Sequence, residues 1–336
     1  MSFLSHPHDI SAESPVFASI LANTILSTVP GVSGAGPTPE KTLLTPVLDA
    51  ELIARGEIKS MPIRPDTPTG CPTPASITRA VMELTGLSPL FINAGLSHHP
   101  TVPCLDLYGS PGGDPRFTDA VPAAGELVRR GEWAGTFLGG YSDLLVLGEC
   151  VPGGTTTALC VMRALGYDAR VSSSYVENPV GIKEEISGQV LARIRSEGIT
   201  APGDILRATG DPMMAVATGI AQSYQGTLVL AGGTQMLAVA ALLRASGWRP
   251  PRIATTCYVR DDQTANFSAM AEAIGTDVTY VDPGFGDLGH AGLARYCIGE
   301  VKEGMGAGGA MFLAHLLGFS PEEIRQQIFA TVSAYR

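Results

Sequence analysis

The strongest constraint on the fold of this chain is a repeated alternation of short apolar runs and amphipathic segments from about residue 76 onward. Each apolar run has the length of a buried strand and is followed by apolar residues at helical spacing. The predicted strands are 90–92, 144–147, 227–231, 253–259 and 278–281. Strands that alternate with helices in this way are typical of an α/β fold, in which helices cover both faces of a mainly parallel sheet.

The first 75 residues have a different pattern and predict a separate segment. Apolar residues between 14 and 28 recur at helical spacing, which predicts a helix. Residues 30–75 are rich in Pro, Gly and Thr and predict an irregular stretch with one helix near 46–55. A stretch this long is usually functional or wraps around a partner. We therefore divide the chain into a helical or irregular segment of a smaller subdomain (1–75), an α/β core (76–318) and a C-terminal helix (319–336).

Composition excludes several classes of function. The chain of 336 residues carries a net charge of −10 with scattered Lys and Arg, which argues against nucleic-acid binding. No run of about 18 apolar residues predicts a membrane span. The six cysteines form no CxxC pair and have no His at metal-ligand spacing, so we expect free thiols and no metal site. The first residues lack the pattern of a secretory signal, and together these features predict a cytoplasmic protein.

A glycine–threonine loop follows the predicted strand 144–147 and precedes a helix. It comprises Gly148, Glu149, then Gly153 and Gly154, and Thr155 to Thr157. Glycine lets backbone N–H groups approach an anion, and a helix start adds unpaired donors, so the loop predicts a phosphate site. It has neither the Walker A nor the GxGxxG pattern, and a plain strand-to-helix turn would look the same. Glu149 would repel a phosphate and is better placed against a ribose hydroxyl or a developing positive charge.

Two further glycine-rich segments are candidates for the same site. Gly232, Gly233 and Thr234 follow the strand 227–231 and could line the same crevice or form a simple turn. The third segment contains the following residues: Lys302, Glu303, Gly304 and Gly306. A partly desolvated Glu303 could act as a general base, or it could be a surface acid. Lys302 could neutralise a phosphate or pair with Glu300 or Glu303.

Taken together, these segments resemble the nicotinate-nucleotide–dimethylbenzimidazole phosphoribosyltransferase family, and within it an archaeal and cyanobacterial branch. The resemblance covers about residues 30–318. It is carried by collinear motifs at 73–80, 93–96, 148–159, 172–179, 210–213, 230–239 and 301–310. The bacterial members have Asn at the position of Gly154 and Thr at that of Met305.

The resemblance implies a three-layer α/β/α fold with a smaller subdomain, and a homodimer. It implies transfer of 5-phosphoribose from nicotinate mononucleotide to 5,6-dimethylbenzimidazole or a related base, without a cofactor. Glu303 matches the family's general base, and Glu149 with Gly153 to Thr156 matches the loop that holds the ribose phosphate. Lys183 matches a phosphate-contacting lysine. A non-catalytic nucleotide-binding protein, or an enzyme acting on another phosphorylated metabolite, remain alternatives.

Overall fold

A single parallel sheet of seven strands forms the centre of the molecule. The computed structural model describes residues 2–36 and 38–335. The strands are β1 (Pro15–Ala22), β2 (Leu90–Gly95), β3 (Leu105–Asp106), β4 (Leu144–Cys150), β5 (Thr227–Ala231), β6 (Arg252–Thr256) and β7 (Val278–Val281). They lie in the order β3-β2-β1-β4-β5-β6-β7, and each pairs in parallel with its neighbours. The predicted α/β fold with a parallel sheet is confirmed.

Helices occupy both faces of this sheet. They are α1 (Pro39–Thr42), α2 (Thr45–Arg55), α3 (Pro74–Thr85), α4 (Ala124–Gly139), α5 (Gly154–Ala164), α6 (Val180–Ser196), α7 (Pro202–Thr209), α8 (Pro212–Ser223), α9 (Thr234–Ala245), α10 (Cys257–Arg260), α11 (Phe267–Ile274), α12 (Ala291–Ala294), α13 (Ala307–Leu316) and α14 (Pro321–Ser333). The C-terminal helix begins at a capping box formed by Ser320 and Glu323, as predicted. None of the described helices has the length and apolar character that a membrane span requires.

The alternation of side chains along β4 explains the two layers of core. Leu145 and Leu147 belong to the core formed with α4, α5, α8, α9 and α11. Leu144 and Val146 point to the opposite face and pack with α2, α3, α13 and α14. Because both faces of the strand are buried, its sequence is a continuous apolar run.

The helix predicted within residues 14–28 is wrong, because this stretch contains β1. Six consecutive residues of β1 are buried, and the strand lies between β2 and β4. A short run that is apolar on both faces has no clear period of two, so its spacing also matches a helix. The consequence is that the predicted boundary at residue 75 does not separate the N-terminal segment from the sheet. The helix predicted near 46–55 is present as α2.

Close packing between α13 and the sheet gives a direct stability prediction. A Cβ added at Gly309 would lie 2.2 Å from the Cβ of Ala231, while a Cβ at Gly188 in α6 would meet no atom within 4 Å. We expect Gly309→Ala to lower the free energy of unfolding by about 1–3 kcal/mol through overpacking. Gly188→Ala should raise it by up to about 1 kcal/mol, because alanine favours the helix. Urea unfolding measures both, and equal shifts would contradict the packing shown here.

Candidate active site

A cavity of about 1630 Å³ opens at the carboxyl ends of the central strands. The chain runs from β1 to β2 on one side and later returns to β4 on the other side of β1, so this is where the strand order reverses. Ligands of open parallel sheets bind at such positions. The cavity wall includes the loops that lead into α5 and α9, and residues 301–304 before α13.

Glu149, near the end of β4, is the first of the predicted acidic groups that line this cavity. Its side chain is 4% exposed and accepts a hydrogen bond from Nε2 of Gln235, at the start of α9. Burial, followed by the negative charges of Asp211 and Glu303, raises the pKa of Glu149 to about 8. At neutral pH the Glu149 carboxyl is therefore protonated in most molecules, and in that form it can both donate and accept hydrogen bonds.

Glu303 is the second acidic group, and four donors fix its orientation. Its carboxylate accepts the hydroxyl of Thr255 at 3.1 Å and backbone N–H groups at 3.1–3.2 Å. Those N–H groups belong to Thr256, Gly304 and Gly308. Burial raises the pKa of Glu303 although these hydrogen bonds favour its charged form. β6 ends at Thr256, whose N–H donates to Glu303. The sequence predicted that this strand would continue for three more residues, to residue 259.

The two carboxyls are held near each other because the main-chain segments that carry them are in direct contact. The N–H of Met305 donates to the carbonyl of Glu149 at 3.0 Å. A Cβ on Gly306 would lie 3.0 Å from Cα of Gly148, and Gly306 has a left-handed φ of 70°. Glycine at both positions therefore permits an approach that any side chain would obstruct.

The glycine–threonine loop lies where the sequence predicted it, but its threonines have different environments. Gly153 has φ 79° and caps α5, and Gly154 packs on the side chain of Gln235. Thr155 lines the cavity. Thr156 is fully buried, does not line the cavity, and its hydroxyl has no partner among the described residues. Thr157 donates to Asp211 at 2.7 Å.

The second glycine segment contributes through Gly233 and Thr234, which line the cavity at the start of α9. Gly232 lies just behind them, and a Cβ there would be 3.5 Å from Oε1 of Glu149. In the third segment, Lys302 and Gly304 line the cavity beside Glu303, whereas Gly306 is buried against Gly148. The three glycine segments therefore converge on one site.

The suggested pairing of Lys302 with Glu300 or Glu303 is wrong, whereas its suggested role in neutralising a phosphate stays a prediction. Its ammonium donates to the carbonyls of Ser173 (2.8 Å) and Gly299 (2.6 Å) and lies 3.4 Å from Asp262. Glu300 instead binds Arg295, Thr67 and Thr69. A buried ammonium needs carbonyl and carboxylate partners, and the residues around the 172–175 loop provide them.

Lys183 lies behind the same loop and does not line the cavity. It is 2% exposed and donates to the carbonyl of Ser172 at 2.6 Å. Burial and the charge of Lys302 lower the pKa of Lys183 to about 7. Its contact is thus with the loop that faces the cavity, and a direct contact with phosphate stays a prediction.

Several cavity residues were not identified from the sequence. Asp49, Lys41 and Arg64 come from the 30–75 segment, which lines the cavity of its own chain, and Gln235 and Arg295 come from the core. The unusual length of the irregular segment was the only sequence signal for the first three. Among the described residues, no three His, Cys, Asp or Glu side chains are grouped so as to hold a metal ion.

The fold and the site define an α/β protein whose cavity lies at the switch point of a parallel sheet. Its fold is similar to that of two solved structures from Thermus thermophilus. With the nicotinate-nucleotide–dimethylbenzimidazole phosphoribosyltransferase, the TM-score is 0.58 at 18% identity, over 92% of this chain and 84% of the other. With the protein described as CobT, the TM-score is 0.60 at 16% identity, over 95% and 84%.

Sequence relatives identify the family. The chain is 42% identical to a UPF0284 protein of Methanosarcina acetivorans over 328 residues, which is 94% of this chain and 93% of the relative. It is 43% identical to a UPF0284 protein of Thermococcus gammatolerans over 319 residues, 93% and 96% of the two chains. No protein-family model matches the chain. The chain belongs to the UPF0284 family.

Proposed function

We propose that this protein is a phosphoribosyltransferase that moves 5-phosphoribose from nicotinate mononucleotide to 5,6-dimethylbenzimidazole or a related base. The observation that carries the proposal is a pair of carboxyls, the buried Glu149 and the half-buried Glu303, which line one cavity between glycine-rich helix starts and whose pKa values are both raised. Such an arrangement offers a phosphate site, a partner for the ribose and a base within one crevice. The shared fold with the Thermus phosphoribosyltransferase supports this choice of reaction.

The donor phosphate would bind at the start of α5. Gly153, Gly154 and Thr155 line the cavity there, and the helix start provides N–H donors and the positive end of a dipole. The 172–174 loop lines the same side of the cavity. Gly233 and Thr234 extend this wall at the start of α9.

The chemistry needs one leaving group and one proton acceptor. As the bond from C1 of ribose to the pyridinium nitrogen breaks, its electron pair returns to the ring and nicotinate leaves as a neutral ring. The imidazole-type nitrogen of the acceptor forms the new bond to C1, and Glu303 takes the proton from that ring. A protonated Glu149 would hydrogen-bond a ribose hydroxyl, and its ionised form would stabilise positive charge at C1. Attack from the opposite face gives inversion.

The proposal predicts nicotinate release that depends on an acceptor base. Incubating the protein with nicotinate mononucleotide and 5,6-dimethylbenzimidazole should yield nicotinate and the α-ribazole phosphate in equal amounts, measured by chromatography. Nicotinate release at the same rate without any base would indicate a hydrolase and contradict the proposal. Binding of the mononucleotide without release, with any benzimidazole or purine, would indicate a non-catalytic nucleotide-binding protein.

Two further properties remain predictions, a homodimer, which the family resemblance implies, and a cytoplasmic location, which the composition implies. The mass of the full-length protein in solution, measured by light scattering after gel filtration, tests the first. Twice the mass of one chain is expected.

A further inference from the structure

The cavity has two chemically different halves. One half consists of glycine and hydroxyl groups from Gly153 to Thr155 and the 172–174 loop, and it suits an anion. The other half comes from the 45–74 segment, whose apolar side chains on the wall are Leu48, Ile58, Met61, Ile63 and Pro74. Charged and hydroxyl side chains of the same segment, Arg64, Asp66, Thr67, Thr69 and Thr73, also line it. One charged group of the second half, Asp49, belongs to α2 and is almost completely buried, with 8% exposure.

Asp49 has few partners for a buried carboxyl. Its Oδ1 accepts the hydroxyl of Thr73 at 3.2 Å, and its Oδ2 lies 3.8 Å from the thiol of Cys150, which is a weak donor. Burial raises the pKa of Asp49 to about 7, opposed only by these two hydrogen bonds. A carboxylate can accept about four hydrogen bonds, so this side chain has unused capacity on a cavity wall.

The position of Asp49 relates it to both acidic groups of the site. Cys150, its thiol partner, directly follows Glu149 in β4. Thr73, its hydroxyl partner, precedes Pro74, whose ring lies 3.3 Å from the position of a Cβ on Gly304. Gly304 is adjacent to Glu303. Asp49 therefore contacts the end of β4 next to Glu149 through Cys150, and it reaches the segment that carries Glu303 through Thr73 and Pro74.

We propose that Asp49 selects acceptor bases that carry an N–H or O–H donor on the ring edge remote from the attacking nitrogen. This rests on the proposed function. A planar base whose unprotonated nitrogen faces C1 of the ribose and whose ring N–H faces Glu303 would direct its remote edge toward the 45–74 wall. A donor on that edge completes the hydrogen bonds of Asp49. A methyl group there leaves the carboxyl desolvated without a partner, so acceptors with only methyl groups on that edge, 5,6-dimethylbenzimidazole among them, should react more slowly. The acceptor that this wall favours is therefore a related base with a donor on that edge.

Two acceptors of matched size test this selection directly. 5-Aminobenzimidazole and 5-methylbenzimidazole differ in a donor and little in volume. With wild-type protein and nicotinate mononucleotide, we expect kcat/KM to be about 10- to 100-fold higher for the amino compound, the range for a hydrogen bond to a charged group. Asp49→Leu should remove this preference, and Asp49→Asn should retain part of it, because the amide oxygen still accepts. Asp66→Leu, at another acidic residue of the cavity wall, should leave the ratio unchanged.

The outcomes separate this proposal from the proposed function. Equal kcat/KM values for the two acceptors in the wild-type protein would overturn the role of Asp49 while leaving phosphoribosyl transfer in place. An unchanged ratio in a folded Asp49→Leu protein would do the same. If that variant does not fold, the wild-type ratio still decides. Absence of nicotinate release with every base would overturn the proposed function, and the acceptor selection with it.

Discussion

Replacing Glu303 by glutamine is expected to reduce kcat by about 100- to 10,000-fold, the usual contribution of a general base. The amide keeps the size of the side chain, and its single oxygen can still accept the N–H groups of Gly304 and Gly308, while the N–H of Thr256 loses its acceptor. The protein should therefore remain folded with some loss of stability. Its oxygen cannot take the acceptor proton. Nicotinate release in a continuous assay measures kcat, and calorimetry should find the affinity for nicotinate mononucleotide changed by less than tenfold, a bound of about 1.4 kcal/mol.

A matched control for Glu303 is Glu177→Gln. Glu177 also lines the cavity, but its side chain is exposed and makes no hydrogen bond within the described residues that would fix it. This variant should keep kcat within about threefold, a difference below about 1 kcal/mol in activation free energy. If Glu303→Gln retained wild-type kcat, or if both variants lost activity equally, Glu303 would not be the base.

The free energy of unfolding should fall as the pH rises from 5 to 7, and Glu149→Gln should remove a large part of this dependence. Folding raises the pKa of Glu149 from 4.5 to about 8, so the folded protein keeps a proton that the unfolded chain has lost. The contribution of Glu149 to the free energy of unfolding is fully present below its pKa in the unfolded chain. It is lost as the pH rises toward and through its pKa in the folded protein. One such group changes stability by about 1.4 kcal/mol per pH unit, or about 3 kcal/mol over this window.

Other buried ionisable groups determine which pH range is used and which variant serves as the control. Asp49 and Asp211, with pKa values raised to about 7 and about 6, act in the same direction and leave a residual slope in the variant. Lys183, with its pKa lowered to about 7, acts in the opposite direction above that pH, which is why the window ends there. Urea unfolding at several pH values gives the slopes, and Glu177→Gln serves again as control. Parallel curves for wild-type and Glu149→Gln protein would contradict the raised pKa.

The elements that could be predicted from the sequence are those whose local pattern agrees with their tertiary position. β4 and β5 are apolar runs that end at glycine-containing loops, and α14 begins with Ser320 and Glu323 in capping positions. Gly153, Gly233 and Glu303 follow or precede such elements. Since the carboxyl ends of parallel strands meet at one edge of a sheet, their convergence could be expected before any coordinates were known.

The features that could not be predicted depend on contacts between distant residues. β1 is buried on both faces by its neighbours in the sheet, and this burial removes the alternation that would distinguish a strand from a helix. Lys302 pairs with Asp262, although α11, β7 and α12 separate the two residues in the chain. The positive charge of Lys302 therefore did not indicate in the sequence which residue would be its partner. Asp49 lies on an ordinary helix in a segment without motifs, and only the folded structure shows that its side chain is buried.

The backbone contact between Gly148 and Gly306 has a consequence for how this site can evolve or be redesigned. Glu149 and Glu303 are attached to main-chain segments that touch, so the spacing of the two acids does not depend on which side chains fill the surrounding core. The 45–74 wall of the cavity, in contrast, is formed largely by side chains. Under the proposed function, substitutions at Asp49, Ile58 or Met61 should therefore change substrate preference while Glu149 and Glu303 keep their spacing. Variants that accept new bases should be sought on that wall.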